Sequence, residues 1–168
     1  TASYMNDGAV SRLIDWCWRQ DATNIDVDSS RLCAIILCWS LASPHKMLRD
    51  QSTKALVNLL RERIDTLIPV MKMFEQVDDL YIRERIFAAA YGISLLKPEK
   101  AELRKLSDYT YESIFYNNKP PLNVLLRDYA AGIIKVAHKE GVLSSNIDME
   151  NVLPPYKSER TIDFPLES

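Results

Sequence analysis

Apolar residues recur along most of this chain at a spacing near 3.6 residues, and no sustained alternation of apolar and polar residues indicates a strand. Glycine, which would mark tight turns, occurs only 4 times in 168 residues. Short proline-containing segments separate the periodic stretches, as at 97–100 and 119–121. The pattern predicts an all-α fold with seven helices, at about 8–20, 29–42, 45–60, 63–76, 79–96, 99–117 and 121–140.

Several of the predicted helices begin with residues that satisfy free backbone N–H groups. The segment 28–31 offers a carboxylate and two hydroxyls, and the paired acids Asp78 and Asp79 precede the fifth helix. Pro44 suits the first turn of the third helix, and Gly141 suits the residue after the end of the seventh. We therefore interpret these residues as helix boundaries and not as a catalytic pair of carboxylates.

The C-terminal residues have a different composition. Residues 143–168 contain Pro154, Pro155 and Pro165 and show no helical period. The sequence thus predicts a helical domain at 1–142 followed by an extended arm or linker at 143–168. Because the chain begins with neither Met nor a signal peptide, we expect it to be a piece of a longer protein.

The charge balance argues against two classes of partner. The 21 basic and 23 acidic residues leave no strong positive field for nucleic acid or an anionic membrane. The longest apolar runs, such as 33–39, are too short to span a bilayer. We expect a cytoplasmic protein whose three cysteines are buried free thiols.

No catalytic, cofactor-binding or metal-binding residue is predicted. His45 and His138 lie far apart, and Cys17, Cys33 and Cys38 form no C-x-x-C pair. The glycines stand alone, so no phosphate-binding loop is present. Two alternatives stay open at this point: a helical enzyme domain with an unrecognised site, and a nucleic-acid-binding helical repeat.

Three of the predicted helices share an internal repeat. Each has a branched apolar residue, an arginine, an acid, and then small or apolar residues three, six and seven positions after the arginine. The intervals between the arginines are 34 and 44 residues, in or near the range of two-helix repeats. A recurring pair at a helix edge indicates a structural role for Arg49, Asp50, Arg83, Glu84, Arg127 and Asp128.

This repeat resembles the HEAT repeat, whose second helix opens with an acidic turn followed by V-R-x-x-A-x-x-A-L. The best match is VDDLYIRERIFAAAYGI at 77–93, whereas NKPPLN before Arg127 lacks the acidic turn. The resemblance implies an α-solenoid of antiparallel helix pairs. Gly92 and Gly132 fall inside predicted helices, where glycine costs about 1 kcal/mol relative to alanine, so we expect close approach of a neighbouring helix there, with a kink at a binding surface as the alternative.

The combination of LRDQSTKALVNLL, VDDLYIRERIFAAAYG, LLRDYAAGII and PPY is also similar to the helical C-terminal region of large bacterial STAND-type NTPases of the antiphage AVAST (Avs) group. That resemblance implies nucleotide-binding and effector domains upstream, and helical repeats that recognise a phage protein. The expected function is therefore a non-enzymatic protein-recognition or scaffolding module of a larger protein.

Aromatic residues in the predicted sixth helix form a candidate interface. Tyr109 and Tyr116 are seven residues apart and would share one face, while Tyr111 and Phe115 would share another. We expect one pair to pack in the core and the other to be partly exposed or covered by the C-terminal arm. Exposed tyrosines commonly anchor protein interfaces.

Overall fold

The computed structural model describes residues 8–19 and 24–156, and this part of the chain is all-helical, with no strand. The seven predicted helices are confirmed, and an eighth, short helix follows them. The remaining residues, including Pro165 and the end of the predicted arm, lie outside the described ranges. The helices are α1 (Ala9–Arg19), α2 (Val27–Ser40), α3 (Lys46–Leu60), α4 (Ile64–Phe74), α5 (Leu80–Leu95), α6 (Lys100–Ile114), α7 (Val124–Lys139) and α8 (Met149–Val152).

The helices contact one another in two series. In the first series α1 packs on α3, α3 on α5, and α5 on α7, while in the second α2 packs on α4 and α4 on α6. Contacts of α2 with α3, α4 with α5, and α6 with α7 join the two series. One cluster of buried apolar side chains runs through the described residues from Ile14 in α1 to Val152 in α8.

Side-chain caps mark the start of four of the described helices, α2, α5, α7 and α8. Asp79 accepts hydrogen bonds from the backbone N–H groups of Tyr81 and Ile82, as predicted for α5. The second helix begins earlier than predicted, because its cap is Asp26, which accepts from the N–H of Ser29 at 2.9 Å. The third begins two residues after Pro44, without a side-chain cap.

The prediction that the sixth helix extends to residue 117 is wrong. The helix ends at Ile114, and the N–H of the following Phe115 closes the last turn on the carbonyl of Tyr111 at 2.8 Å. Three residues later Asn118 has a positive φ of 54°, which a helix cannot continue through. This early end changes where the following Tyr116 points.

Three glycines lie in the surroundings that the sequence predicted for them. Gly141 follows α7 with a φ of 68°. The N–H of Val142 donates to the carbonyl of Ala137 at 3.0 Å, so α7 ends in a Schellman motif. A β-carbon added to Gly132 would lie 2.6 Å from the ring of Tyr91 on α5. Gly92 is similarly close to Val57 of α3, at 3.2 Å, so both glycines lie where a side chain of a neighbouring helix approaches.

The segment after α7 is folded against the helices and is not extended throughout. Asp148 caps α8, and Ile147 and Val152 are buried in the core cluster. The ring of Tyr156 stacks on that of Phe115, with centroids 6.3 Å apart and planes 25° apart. The described part of the predicted arm is therefore a packed covering of α6 and α7.

Candidate protein-binding edge

The first turns of α3 and α5 meet around one tyrosine. The guanidinium of Arg49 lies 5.3 Å from the centroid of the Tyr81 ring, and that of Arg85 lies 5.9 Å from it. Arg85 also donates through Nη2 to Oδ1 of Asp50. Tyr81 thus lies beside two cations, one of which is fixed by a carboxylate from the neighbouring helix.

An acid of α5 makes the corresponding contact with α7. Glu84 is buried, and its Oε2 accepts a hydrogen bond of 2.9 Å from Nδ2 of Asn123. The same asparagine caps α7, because its Oδ1 accepts from the N–H of Leu126 at 2.9 Å. The acid of each of the first two repeats therefore binds a residue near the start of the next odd-numbered helix.

The three repeat arginines have different environments. Nη1 of Arg49 donates to the carbonyl of Ser43 at 2.8 Å, whereas Nη2 of Arg83 donates to the hydroxyl of Ser113 at 2.8 Å. Arg127 lies over the ring of Tyr156, 4.8 Å from its centroid. The repeat thus recurs in sequence, but its arginine has a different partner in each copy. Arg49 binds the loop before α3, Arg83 binds α6, and Arg127 contacts the C-terminal segment.

Asp128, the last of the predicted repeat residues, is exposed near this segment. Burial raises the pKa of Tyr156, the negative charge of Asp128 raises it further, and the positive charge of Arg127 opposes both. No further odd-numbered helix follows within the described residues to accept the carboxylate of Asp128 as α7 accepts that of Glu84.

Two residues of this arrangement were missed at the sequence level. Arg85 makes the contact to Asp50, although the repeat pattern points to Arg83. No sequence signal distinguishes the two arginines, since both lie near the start of the same helix. Asn123 had a signal, because an asparagine shortly after a proline and just before an apolar run is typical of an N-cap.

Exposed apolar side chains occupy the same position in each of these first turns. Met47, Tyr81 and Leu125 each lie two residues before the repeat arginine, and they are 70%, 38% and 50% exposed. These contacts, all within two turns of the helix starts, put the starts of α3, α5 and α7 on one side of the helical series. We call the surface formed by Met47, Tyr81 and Leu125 the N-terminal edge.

The candidate aromatic interface is mostly internal. Tyr109, Tyr111 and Phe115 are buried, and Tyr116 alone is exposed, at 69%. Tyr109 and Tyr116 do not share a face, because α6 ends before Tyr116. Asn151 donates to the hydroxyl of Tyr111 at 3.1 Å, and the ring of Tyr156 stacks on Phe115. The C-terminal segment thus covers the pair Tyr111 and Phe115, which was one of the two predicted arrangements.

A partly buried polar network joins α5 and α6 to the end of α4. Glu75 Oε1 accepts from the hydroxyl of Tyr109 at 2.7 Å and from that of Ser113 at 2.9 Å, and Ser113 in turn accepts from Arg83. Burial and the Glu75 carboxylate raise the pKa of Tyr109 well above its usual value. The hydroxyl therefore stays protonated and serves as a hydrogen-bond donor between elements.

Within the described ranges, no group of three or more His, Cys, Asp or Glu could hold a metal ion. The three cysteines are free thiols; Cys17 and Cys38 are buried as predicted, whereas Cys33 is half-buried. Burial raises the pKa of both Cys17 and Cys38 to about 12, which removes their nucleophilic thiolate at neutral pH.

Among the described helices, none combines the length and the apolar character needed to cross a membrane. The chain matches no protein-family model, no curated protein and no solved structure.

Proposed function

We propose that this chain is a HEAT-like α-solenoid that recognises a protein partner and has no catalytic activity of its own. The two series of helix contacts support a stack of helix pairs, in which each pair packs on the next. The links from Asp50 to Arg85 and from Glu84 to Asn123 support it as well, because they join equivalent turns of successive pairs.

The recurrence of exposed apolar residues at the N-terminal edge is the observation that carries the recognition function. Met47, Tyr81 and Leu125 present apolar groups at one repeat position, and neighbouring helices are about 10 Å apart. A partner lying across the three first turns could bury all three side chains. Tyrosine beside arginine is a composition enriched at the centres of protein interfaces.

The cations beside Tyr81 are fixed before any partner binds. Arg49 is held by the Ser43 carbonyl and Arg85 by Asp50, so neither side chain loses much rotamer entropy on binding. Such preorganisation increases affinity without adding contact area. The edge thus combines apolar anchors with fixed polar groups, as a recognition surface requires.

The resemblance to STAND-type NTPases of the antiphage AVAST group is the basis for a further proposal about the parent protein. The module would be the sensor region of a larger cytoplasmic defence protein, with a phage protein as its partner. Recovery of the parent gene tests this proposal, because an upstream Walker A sequence is expected. A parent without a nucleotide-binding domain would contradict it.

Partner capture from phage-infected and uninfected cells tests the recognition function. We expect the wild-type chain to retain a protein that the double variant Met47→Asp/Leu125→Asp loses. Ile36→Asp, which changes an equally exposed apolar residue of α2, is the matched control and should retain it. Equal retention by all three chains would contradict the proposed surface, and loss after nuclease treatment would indicate a nucleic-acid ligand instead.

A further inference from the structure

The second helix has an apolar face that the other described residues leave uncovered. Leu32, Ile36 and Trp39 are each about half exposed, and their spacing of four and three residues forms one stripe along α2. The opposite face of the helix, with Ala34 and Leu37, is fully buried. A helix that is apolar on both faces is typical of an element covered on both sides.

The stripe continues onto the neighbouring helix. A shallow groove between α2 and α4 is lined on one side by Leu32 and on the other by Pro69 and Met73, both exposed. By contrast, α6 of the same series presents the exposed charged residues Arg104 and Lys105. Within this series of helices, the exposed apolar residues therefore lie on the outer side of α2 and α4, which we call the α2 face.

We propose that the α2 face binds a second copy of this chain, so that the protein forms a symmetric dimer. The stripe is nearly symmetric about Ile36: Leu32 lies about 6 Å before it and Trp39 about 4.5 Å after it along the helix axis. An antiparallel crossing at Ile36 brings each Leu32 onto the partner's Trp39. This is the self-complementarity that a two-fold interface requires.

The charges at the two ends of α2 favour the same arrangement. Exposed Asp26 and Asp28 lie at its start, whereas exposed Lys46 follows its end at the beginning of α3. Antiparallel packing places the acidic end of each copy beside the basic end of the other. Within one copy, Arg31 lies one turn after Asp28 and contacts its carboxylate at 3.8 Å.

The small size of the surface leads us to expect a weak dimer. A stable interface uses about 20–30 residues on each side, and the α2 face is smaller than that. We therefore expect a Kd of roughly 1–100 µM, with the exposed indole of Trp39 and the packing of Ile36 as the main contributions. The dimer would be populated at high local concentration and would leave the N-terminal edge free.

Sedimentation equilibrium of the full chain under reducing conditions tests the dimer. We expect wild-type protein to shift from monomer to dimer between about 1 and 200 µM. Ile36→Asp, which places like charges face to face at the two-fold axis, should weaken the association tenfold or more. Leu125→Asp is equally exposed at the N-terminal edge, and this control should dimerise like the wild type.

A monomeric wild-type chain over this range would overturn the proposal, as would a dimer that Ile36→Asp leaves unchanged. Cysteine cross-linking in a Cys33→Ser background then tests the symmetry. Ile36→Cys should cross-link to itself, whereas Leu32→Cys should cross-link only when mixed with Trp39→Cys. Self-cross-linking of Leu32→Cys as efficient as that of Ile36→Cys would contradict the antiparallel register.

The dimer and the proposed recognition function use different residues, so their failures are distinguishable. Ile36→Asp is expected to weaken dimerisation tenfold or more and to retain the captured partner. Met47→Asp combined with Leu125→Asp is expected to dimerise like the wild type and to lose the partner.

Discussion

Asn123 donates from its side-chain amide to the buried carboxylate of Glu84 at 2.9 Å while its carbonyl oxygen caps α7. One side chain thus fixes both the start of a helix and the contact of that helix with its neighbour. We expect Asn123→Ala to lower the free energy of unfolding by about 2–3 kcal/mol, since the cap is lost and a buried carboxylate loses a partner. Urea denaturation measures this change.

Asp128→Ala, which removes an exposed acid from the same helix, is the control and should change stability by less than about 0.5 kcal/mol. A double-mutant cycle with Glu84→Ala should show coupling of at least about 0.5 kcal/mol. Additive losses would mean that the asparagine acts only as a cap.

The contact between Gly132 and Tyr91 leads to a second prediction. Alanine is usually better than glycine in a helix by about 1 kcal/mol. Here the new β-carbon would lie 2.6 Å from a ring that also packs on Tyr129, so we expect Gly132→Ala to destabilise the fold by about 1–2 kcal/mol. In a Tyr91→Ala background the same substitution should become neutral or stabilising.

Thermal unfolding of the four chains in this cycle measures the reversal. Gly92→Ala is the matched control, and its smaller cost is expected from the longer distance of 3.2 Å to Val57. A cost for Gly132→Ala that persists without the Tyr91 ring would show that another contact limits the approach of α5 and α7.

The position of Arg127 over the ring of Tyr156 predicts a structural role for this arginine. Arg127→Ala should reduce stability by about 1 kcal/mol, because the cation–π contact that holds the C-terminal segment is lost. Tyr156→Ala should have a similar effect, and the two losses should not add. Limited proteolysis should show earlier cleavage after residue 142 in both variants, and unchanged cleavage would argue against this role.

The buried thiols predict a loss of stability at alkaline pH. The pKa of Cys38 is raised from 9.0 to about 12 by burial, so the unfolded chain loses its thiol proton above about pH 9 while the folded chain keeps it. Stability should therefore fall as pH rises from about 9 to about 12, by about 1.4 kcal/mol per pH unit for this thiol. Urea midpoints measured across that range test the slope.

Cys38→Ala should show a correspondingly shallower pH dependence, whatever its stability at pH 7. Half-buried Cys33 should react first with a thiol reagent, whereas Cys38 should react only when the chain unfolds. Rapid labelling of Cys38 in the native protein would contradict its protection.

Local sequence determined the helices of this protein. Apolar periodicity, capping acids such as Asp79 and the C-terminal Gly141 act within a few residues of each element, so they could be interpreted without the fold. The recurrent arginine–acid pairs could be seen for the same reason, and they lie in α3, α5 and α7. The short α8 was missed, because its four residues are too few to show a period.

Only the tertiary structure decided which side chains these helices bring together. Nothing local distinguishes Arg85 from Arg83, yet Arg85 reaches Asp50 because of how α5 lies on α3. The exposure of Tyr116 depends on the early end of α6, and that of Ile36 depends on the absence of a covering element within the described fold. Such contacts join residues tens of positions apart, so packing between helices determines them and local propensity does not.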